Sequence, residues 1–469
     1  MSATVASGAD TFDVLDPSDG SVVGTVPNGT VEDALAAVER AAAAGPAWAA
    51  RAPRERAEIL RRAFELMRER RQAIAELIVR ENGKPLPDAL GEVDYAAEFF
   101  RWYAEEAVRV NGTYATAPSG ANRILVTHQP VGVCLLITPW NFPAAMATRK
   151  LGPALAAGCS AVLKPASDTP LTAVLIGELL TEAGVPEGVV TVLPSRRSGA
   201  VADAMLDHPA VRKLSFTGST EVGRALLASA SRTVVNSSME LGGNAPFLVF
   251  ADADLDEAVE GALIAKMRNV GEACTAANRF YVERPVAQAF AERLAERIGA
   301  LPIGPGLDDG VRVGPLINDA AIEKIEQLVA DATERGAEVV LAGGRLERPG
   351  CFYAPTVLND VAAGSEILAE EIFGPVAPIV AFDSEDEAVA LANDTEYGLV
   401  SYVYTSDLAR GLAVGERLDA GMIALNRGLV SDPAAPFGGT KQSGIGREGG
   451  HEGLLDYTES KYFAIGGKR

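Results

Sequence analysis

Along the first eighty residues, apolar positions recur at intervals of three and four. From Thr30 to about residue 43 they predict a helix, started by Thr30 and Asp33 at capping-box spacing with Asp in place of Glu. A longer helix is predicted from Pro53, which suits a first turn, to Asn82 and Gly83, which supply a stop. Its Ile59, Leu60, Phe64, Met67, Ile74 and Ile78 share one face and read as packing residues. Between about 131 and 240 the pattern changes to short apolar runs at 131–137, 161–163, 189–193, 211–216 and 233–239, separated by helical stretches. That alternation predicts a parallel sheet wound with helices. A second α/β region is predicted from Ala245 to about 425, opening with a strand over 245–250 and a helix over 255–270. The stretches 113–130 and from about 456 read as extended segments outside both cores, of the kind that pairs with another subunit. No repeat or low-complexity linker interrupts the chain.

A chain of 469 residues is long enough for two or three domains, and 48% hydrophobic with 22% charged residues excludes wholesale disorder. The 63 acidic residues outnumber 42 basic ones, for a net charge of −21, which repels phosphate backbones and anionic bilayers. Neither nucleic acid nor membrane is an expected partner. In so acidic a field, an anionic ligand must be held by locally placed arginine or lysine. No run reaches the 18 or so apolar residues of a membrane span, and the first basic residue is Arg40, so no signal peptide is read and a cytoplasmic location is expected. The cysteines at 134, 159, 274 and 351 are scattered and read as free thiols. Three histidines, at 128, 208 and 451, leave little room for a metal site, and none is expected.

Four places carry candidate chemistry. Phe216-Thr-Gly-Ser-Thr-Glu-Val-Gly223 follows a strand and opens a helix, so free N–H groups there can face a pyrophosphate. It is neither a G-x-G-x-x-G nor a P-loop, and an ordinary glycine turn fits as well. Cys274 follows a helical run, where a turn at Gly271 would put it at the start of another helix and lower its pKa. A buried, inert thiol is the alternative, and Cys134, Cys159 and Cys351 are read that way. Glu240 closes a strand before Leu241-Gly-Gly-Asn244 and suits a general base, or simply a solvated or capping carboxylate. Asn141, between Pro139 and Pro143, is a rigid amide donor suited to an oxyanion hole or to bracing a turn.

Taken together, the motifs resemble the aldehyde dehydrogenase superfamily over essentially the whole length. They are Pro139-Trp-Asn-Phe-Pro143, Lys164-Pro-Ala, Phe216-Thr-Gly-Ser219, Glu240-Leu-Gly-Gly243, Gly271-x-x-Cys274, Glu371-Ile-Phe-Gly-Pro375, Asn393-x-x-x-Tyr-Gly-Leu399 and Pro436-Phe-Gly-Gly439. The resemblance implies an α/β fold with a Rossmann-like cofactor domain (1–112 and 132–240) and a second α/β catalytic domain (241–425). It also implies a small protruding β oligomerisation element (113–131 and 456–469) and a return segment (426–455) lining the substrate pocket, in a homodimer or homotetramer. Carried over by motif, Cys274 is the nucleophile, Asn141 with the Cys274 N–H the oxyanion hole, and Glu240 the base. Lys164 and Glu371 hold the cofactor's riboses and Ser219 its pyrophosphate. Thr138, Pro139, Trp140, Ser167, Gly218, Leu241 and Phe373 complete the cofactor site. Because CoA-acylating relatives generally lack the glutamate, Glu240 implies hydrolysis of the acyl enzyme.

A narrower resemblance, through Thr148-Arg-Lys150, Met267-Arg-Asn269 and Asn426-Arg-Gly-Leu-Val-Ser431, is to the succinate-semialdehyde dehydrogenases. It implies that Arg149, Arg268 and Ser431 clasp a small aldehyde's distal carboxylate, for which guanidinium forks are well matched. Either arginine can instead pair with an internal acid, and glutarate semialdehyde or an aminoaldehyde is the alternative substrate. A non-catalytic scaffold is the reading from another class, disfavoured by the presence of both Cys274 and Glu240. Three positions depart from pattern. Ser167 stands where NAD-preferring members carry Glu, so NADP is expected, with NAD accepted. Glu272 replaces a Gln, and a charge there would raise the Cys274 pKa unless it points away. Ala276 removes the partner for a disulfide switch.

Overall fold

A computed structural model describes residues 10–466. The expected segments reaching 1 and 469 therefore extend beyond the described residues. The chain enters as a hairpin of β1 (Thr11–Leu15) and β2 (Val22–Pro27). Helix α1 (Val31–Ala49) starts as predicted, with Thr30 Oγ1 accepting from Asp33 N at 3.2 Å and Asp33 Oδ2 accepting from Thr30 N at 3.0 Å. It outruns the predicted end through Gly45 and Pro46, because Trp48 continues the buried face of Ala34, Ala37, Val38 and Ala41. The single helix predicted over 53–82 is two, α2 (Pro53–Glu69) and α3 (Arg71–Asn82), parted at Arg70 with φ −104° and ψ 17°. The apolar stripe runs across the break, with Leu60, Met67, Ile74 and Ile78 all buried, which is why spacing alone conceals it. Helix α4 (Leu86–Glu106) had no place in the sequence reading, and a buried acid, Glu92, interrupts its apolar face.

Strands β3 (Thr113–Thr116) and β4 (Arg123–Pro130) form a three-stranded antiparallel sheet with Thr458–Ile465, joining the two extended segments into one protrusion. The next unit runs β5 (Val133–Ile137), α5 (Pro143–Ala157), β6 (Ser160–Lys164), α6 (Pro170–Ala183), β7 (Val190–Val192), α7 (Ser198–Leu206), β8 (Val211–Thr217), α8 (Thr220–Ala230) and β9 (Asn236–Glu240). Its strands lie in the order β9-β8-β5-β6-β7, all parallel, with Gly444–Ile445 added antiparallel at the β9 edge. The winding reverses between β5 and β8, and in such sheets the crevice at the carboxyl ends of the diverging strands takes the ligand. Those ends carry the loops of Asn141 and Gly218.

The second sheet is built on β10 (Ala245–Val249), helix α9 (Leu255–Met267) and β11 (Ala277–Glu283). Val376–Phe382 and Thr356–Asn359 extend it beyond β11, and Val400–Tyr404 and Met422–Leu425 beyond β10, all parallel, with Glu338–Leu341 antiparallel at one edge. Cys274 precedes β11 and Gly243 precedes β10, so the carboxyl edge of the first sheet faces the amino edge of the second. No described helix is long and apolar enough to cross a membrane.

Candidate active site

Between the two sheets lies a cavity of about 390 Å³ that Asn141 and Cys274 both line. Helix α9 ends at Met267, and Asn269, Val270 and Gly271 then take φ values of 51°, 56° and 81°. This left-handed run turns the chain back on itself; a β-branched valine there stores strain that the packing around it must hold. Cys274 sits in the turn that follows and leads into strand β11, not a helix. The expected helix-start stabilisation of its thiolate is therefore missing. Burial first, and then the nearby Glu240, push the thiol pKa well above its usual range, with Arg149 and Arg268 opposing.

Cys274 Sγ lies 3.7 Å from Glu240 Oε2. Glu240 closes β9, is 2% exposed, and its Oε1 has no partner among the described residues. Burial raises its pKa to about 8 against the pull of Arg149 and Lys150. The same burial that disfavours the thiolate thus places Glu240 alongside it as a candidate proton acceptor. Gly243 must be glycine, since a Cβ there would stand 2.5 Å from the Cys274 carbonyl oxygen. Glu272 points away from Cys274, accepting from Ile317 N at 3.1 Å, and burial lifts its pKa to about 8.

Asn141 Nδ2 donates to the Glu272 carbonyl at 3.0 Å, which leaves its second N–H for a ligand. Pro139, Trp140, Gly218, Ser219 and Leu241 line one part of the cavity, with Glu371 and Phe373 facing them. Trp140 and Phe373 meet edge to face at 5.5 Å. Ser219 caps α8, accepting from Val222 N at 3.4 Å. Glu371 Oε1 accepts from Gly243 N at 3.1 Å, and burial brings its pKa up to about 7. Three expected cofactor residues lie off this cavity. Thr138 is buried at the end of β5, donating from its N–H to the Lys164 carbonyl at 3.2 Å. Lys164 donates to the Pro165 carbonyl at 3.0 Å, with burial lowering its pKa to about 8. Ser167 lines a separate depression of about 400 Å³ with Asp168 and Arg196.

The two arginines differ. Arg149 lines the cavity, but its Nε is 2.6 Å from Glu448 Oε2 and its guanidinium lies 4.2 Å over the Phe437 ring. The internal-acid reading holds for Arg149: its charge is already met. Arg268 has no ion-pair partner among the described residues; its Nη1 reaches Ser431 Oγ at 3.4 Å, and it stacks 4.8 Å over Phe142. Arg427 is exposed and lines a different groove, beside Asp256, Glu257 and Glu260.

The family model for "Aldehyde dehydrogenase family" matches residues 4–463. The chain belongs to the aldehyde dehydrogenase family. It is 55% identical to a succinate-semialdehyde dehydrogenase of Paenarthrobacter nicotinovorans, over 95% of this chain and 99% of that protein. It is 49% identical to a glutarate-semialdehyde dehydrogenase of Pseudomonas aeruginosa, over 98% of this chain and 95% of that protein. An E. coli crystal structure described as an NADP dependent enzyme superposes with a TM-score of 0.96 at 50% identity, covering 97% of this chain and 95% of that one.

For an aldehyde dehydrogenase, the residues present suit a nicotinamide dinucleotide. The α8 amino terminus after Gly218 offers N–H groups for a diphosphate, Glu371 a carboxylate for a ribose, and Thr217 Oγ1 and Asn141 Oδ1 are buried without partners among the described residues. The sequence reading missed a group on α4: Asp88, Glu92 and Tyr95. Asp88 Oδ2 accepts from Asn269 N at 2.8 Å, Glu92 Oε1 from Ala144 N at 2.9 Å, and Tyr95 lines the cavity beside Arg268. Their spacing of four and three places them on one helix face, which was the available signal.

Proposed function

We propose that this aldehyde dehydrogenase oxidises succinate semialdehyde to succinate with NADP, accepting NAD. The observation that carries the substrate class is Arg268, a guanidinium without a carboxylate partner among the described residues, bonded to Ser431 in the cavity that holds Cys274. A distal carboxylate would complete it, with Arg149 held behind by Glu448. Cys274 Sγ, its proton taken by Glu240, would attack the aldehyde carbon. The oxyanion would be received by Asn141 Nδ2 and the Cys274 N–H, donors whose removal typically costs about 10²–10³ in rate. A bound nicotinamide supplies the hydride acceptor. Once Glu240 has released the Cys274 proton to solvent, its carboxylate would deprotonate the water that cleaves the Cys274 thioester, and that second proton would return to the departing sulfur as the acid leaves.

NADP preference rests on Ser167, a neutral residue where NAD-preferring members carry Glu, although Asp168 beside it remains an acid near Lys164, and on the E. coli neighbour's description as NADP dependent. We assign cofactor binding to 10–112 and 132–240, catalysis to 241–425, and subunit pairing to the protruding sheet of a cytoplasmic homo-oligomer. Glutarate semialdehyde remains the second reading because a relative of nearly equal identity carries that name. One methylene in a pocket is worth only about 1–3 kcal/mol.

The test is initial rates, followed by reduced-cofactor absorbance, with succinate semialdehyde, glutarate semialdehyde and butanal, each with NADP and NAD, on wild type and Arg268→Ala. Wild type is expected to prefer succinate semialdehyde, and Arg268→Ala to lose about 10²-fold in kcat/KM on it while holding its rate on butanal. Equal rates on all three aldehydes in both enzymes would remove the carboxylate reading. A tenfold preference for NAD would remove the cofactor assignment.

A further inference from the structure

Asn141 lies in a turn without regular structure, yet an oxyanion donor has to be held to a fraction of an ångström. Its main chain is gripped from the other side by a buried ion pair that neither the motifs nor the proposed reaction uses. Lys84, in the turn between α3 and α4, and Glu92, on α4, have fully buried side chains whose Nζ and Oε2 are 2.5 Å apart. Lys84 Nζ also donates to the Asn141 carbonyl oxygen at 2.7 Å and lies 4.1 Å over the Phe142 ring. The other oxygen of Glu92 accepts from Ala144 N at 2.9 Å and Ala145 N at 3.3 Å. Those N–H groups belong to the first turn of α5, whose cap residue, Phe142, has no capping side chain. The pair therefore grips the chain on both sides of Phe142: the ammonium fixes the Asn141 carbonyl before it and the carboxylate anchors the first turn of α5 after it.

Resting on the assignment of Asn141 to the oxyanion hole, we infer that Lys84 and Glu92 are positioning residues that hold the Asn141 amide at its catalytic angle. Two further bonds agree. Asn269 Nδ2 is a second donor to the Asn141 carbonyl, at 3.0 Å, and Asn82 Nδ2 donates to the Trp140 carbonyl at 3.2 Å. A buried ion pair adds little net stability over an apolar pair of equal volume, whereas its hydrogen bonds are directional. Misplacing a catalytic group by an ångström costs on the order of 10² in rate. No hydrogen bond or ion pair joins Lys84 or Glu92 to Arg268 or Ser431; Lys84 and Arg268 share only the Phe142 ring, so replacing the pair without a net change of charge should alter aldehyde binding far less than it alters Asn141.

The experiment is a double-mutant cycle on the enzyme with its cofactor. The pair is replaced together, Lys84→Met with Glu92→Gln, so that no uncompensated charge is buried and one side-chain oxygen remains for Ala144 N. The change is made in wild type and in Asn141→Ala. In wild type the paired change is expected to lower kcat by about tenfold or more with the aldehyde KM moved less than twofold. In Asn141→Ala the same change is expected to lower kcat by less than a further twofold, because its target is already gone. Losses that multiply across the two backgrounds would overturn the inference, as would a paired variant with undiminished kcat. If Asn141→Ala itself keeps full kcat, the oxyanion assignment fails and the positioning role with it. Should the paired variant not accumulate, Glu92→Gln alone is read in the same cycle against the same outcomes.

Discussion

Glu240 holds its proton up to about pH 8, because burial disfavours its charge by more than Arg149 and Lys150 favour it. A general base must be ionised to work. The fraction able to accept a proton from Cys274, or from water at the thioester, therefore increases about tenfold per pH unit below that value and levels above it. The kcat profile is expected to climb from pH 6 to about 8, and Glu240→Gln to lose about 10²-fold or more and flatten the profile. A wild-type profile already flat below pH 7 would show that Glu240 is not the base. Glu272 shares a similar pKa for the same reason but spends its acceptor on Ile317 N, facing away from the thiol. The sequence motif pointed to Glu240 as the base but left open whether Glu272 turns toward Cys274, since residue type does not report which way a side chain turns.

The segment joining α9 to β11 decides where Cys274 sits. Its left-handed run ends at Gly271, where a Cβ would collide with the carbonyl of Gly374 in addition to the φ of 81°. Gly271→Ala is expected to lower the melting temperature and to reduce kcat/KM on every aldehyde alike, with a stability loss of about 1–3 kcal/mol. Thermal melts beside kinetics on a charged and a neutral aldehyde check this; a selective loss on one aldehyde would mean that the turn shapes the pocket instead of placing the thiol. Element boundaries were readable where local chemistry sets them, as at the Thr30 capping box. They were hidden where tertiary contacts do, as at Arg70, where the apolar stripe continues across the break, and in α4, where a buried acid faces Lys84.

At the scale of the molecule, the three-stranded protrusion leaves Tyr114, Tyr462, Phe463 and Ile465 exposed, at 67%, 57%, 43% and 43%. A sheet this thin is marginal alone and exposes edges that ordinarily pair or are covered. The chain is expected to sediment at a multiple of 48.9 kDa, and Tyr114→Glu with Phe463→Glu to shift it toward the single-chain mass. A wild-type chain that sediments as one copy would refute the pairing role.

By itself the sequence determined the alternation of strands and helices, the acidic field, the family resemblance, and Cys274, Glu240 and Asn141 as the chemical candidates. These follow from periodicity, composition and short motifs, which are properties of residues near one another in the chain. Only the tertiary structure decided that Arg149 is already paired with Glu448, 299 positions on, while Arg268 meets no acid among the described residues. It also decided that burial pushes the Cys274 pKa upward beside Glu240, and that Lys84 and Glu92 grip the turn of Asn141. Charge state and orientation depend on which distant groups arrive alongside and how much water they exclude, and that is known only once the chain has folded.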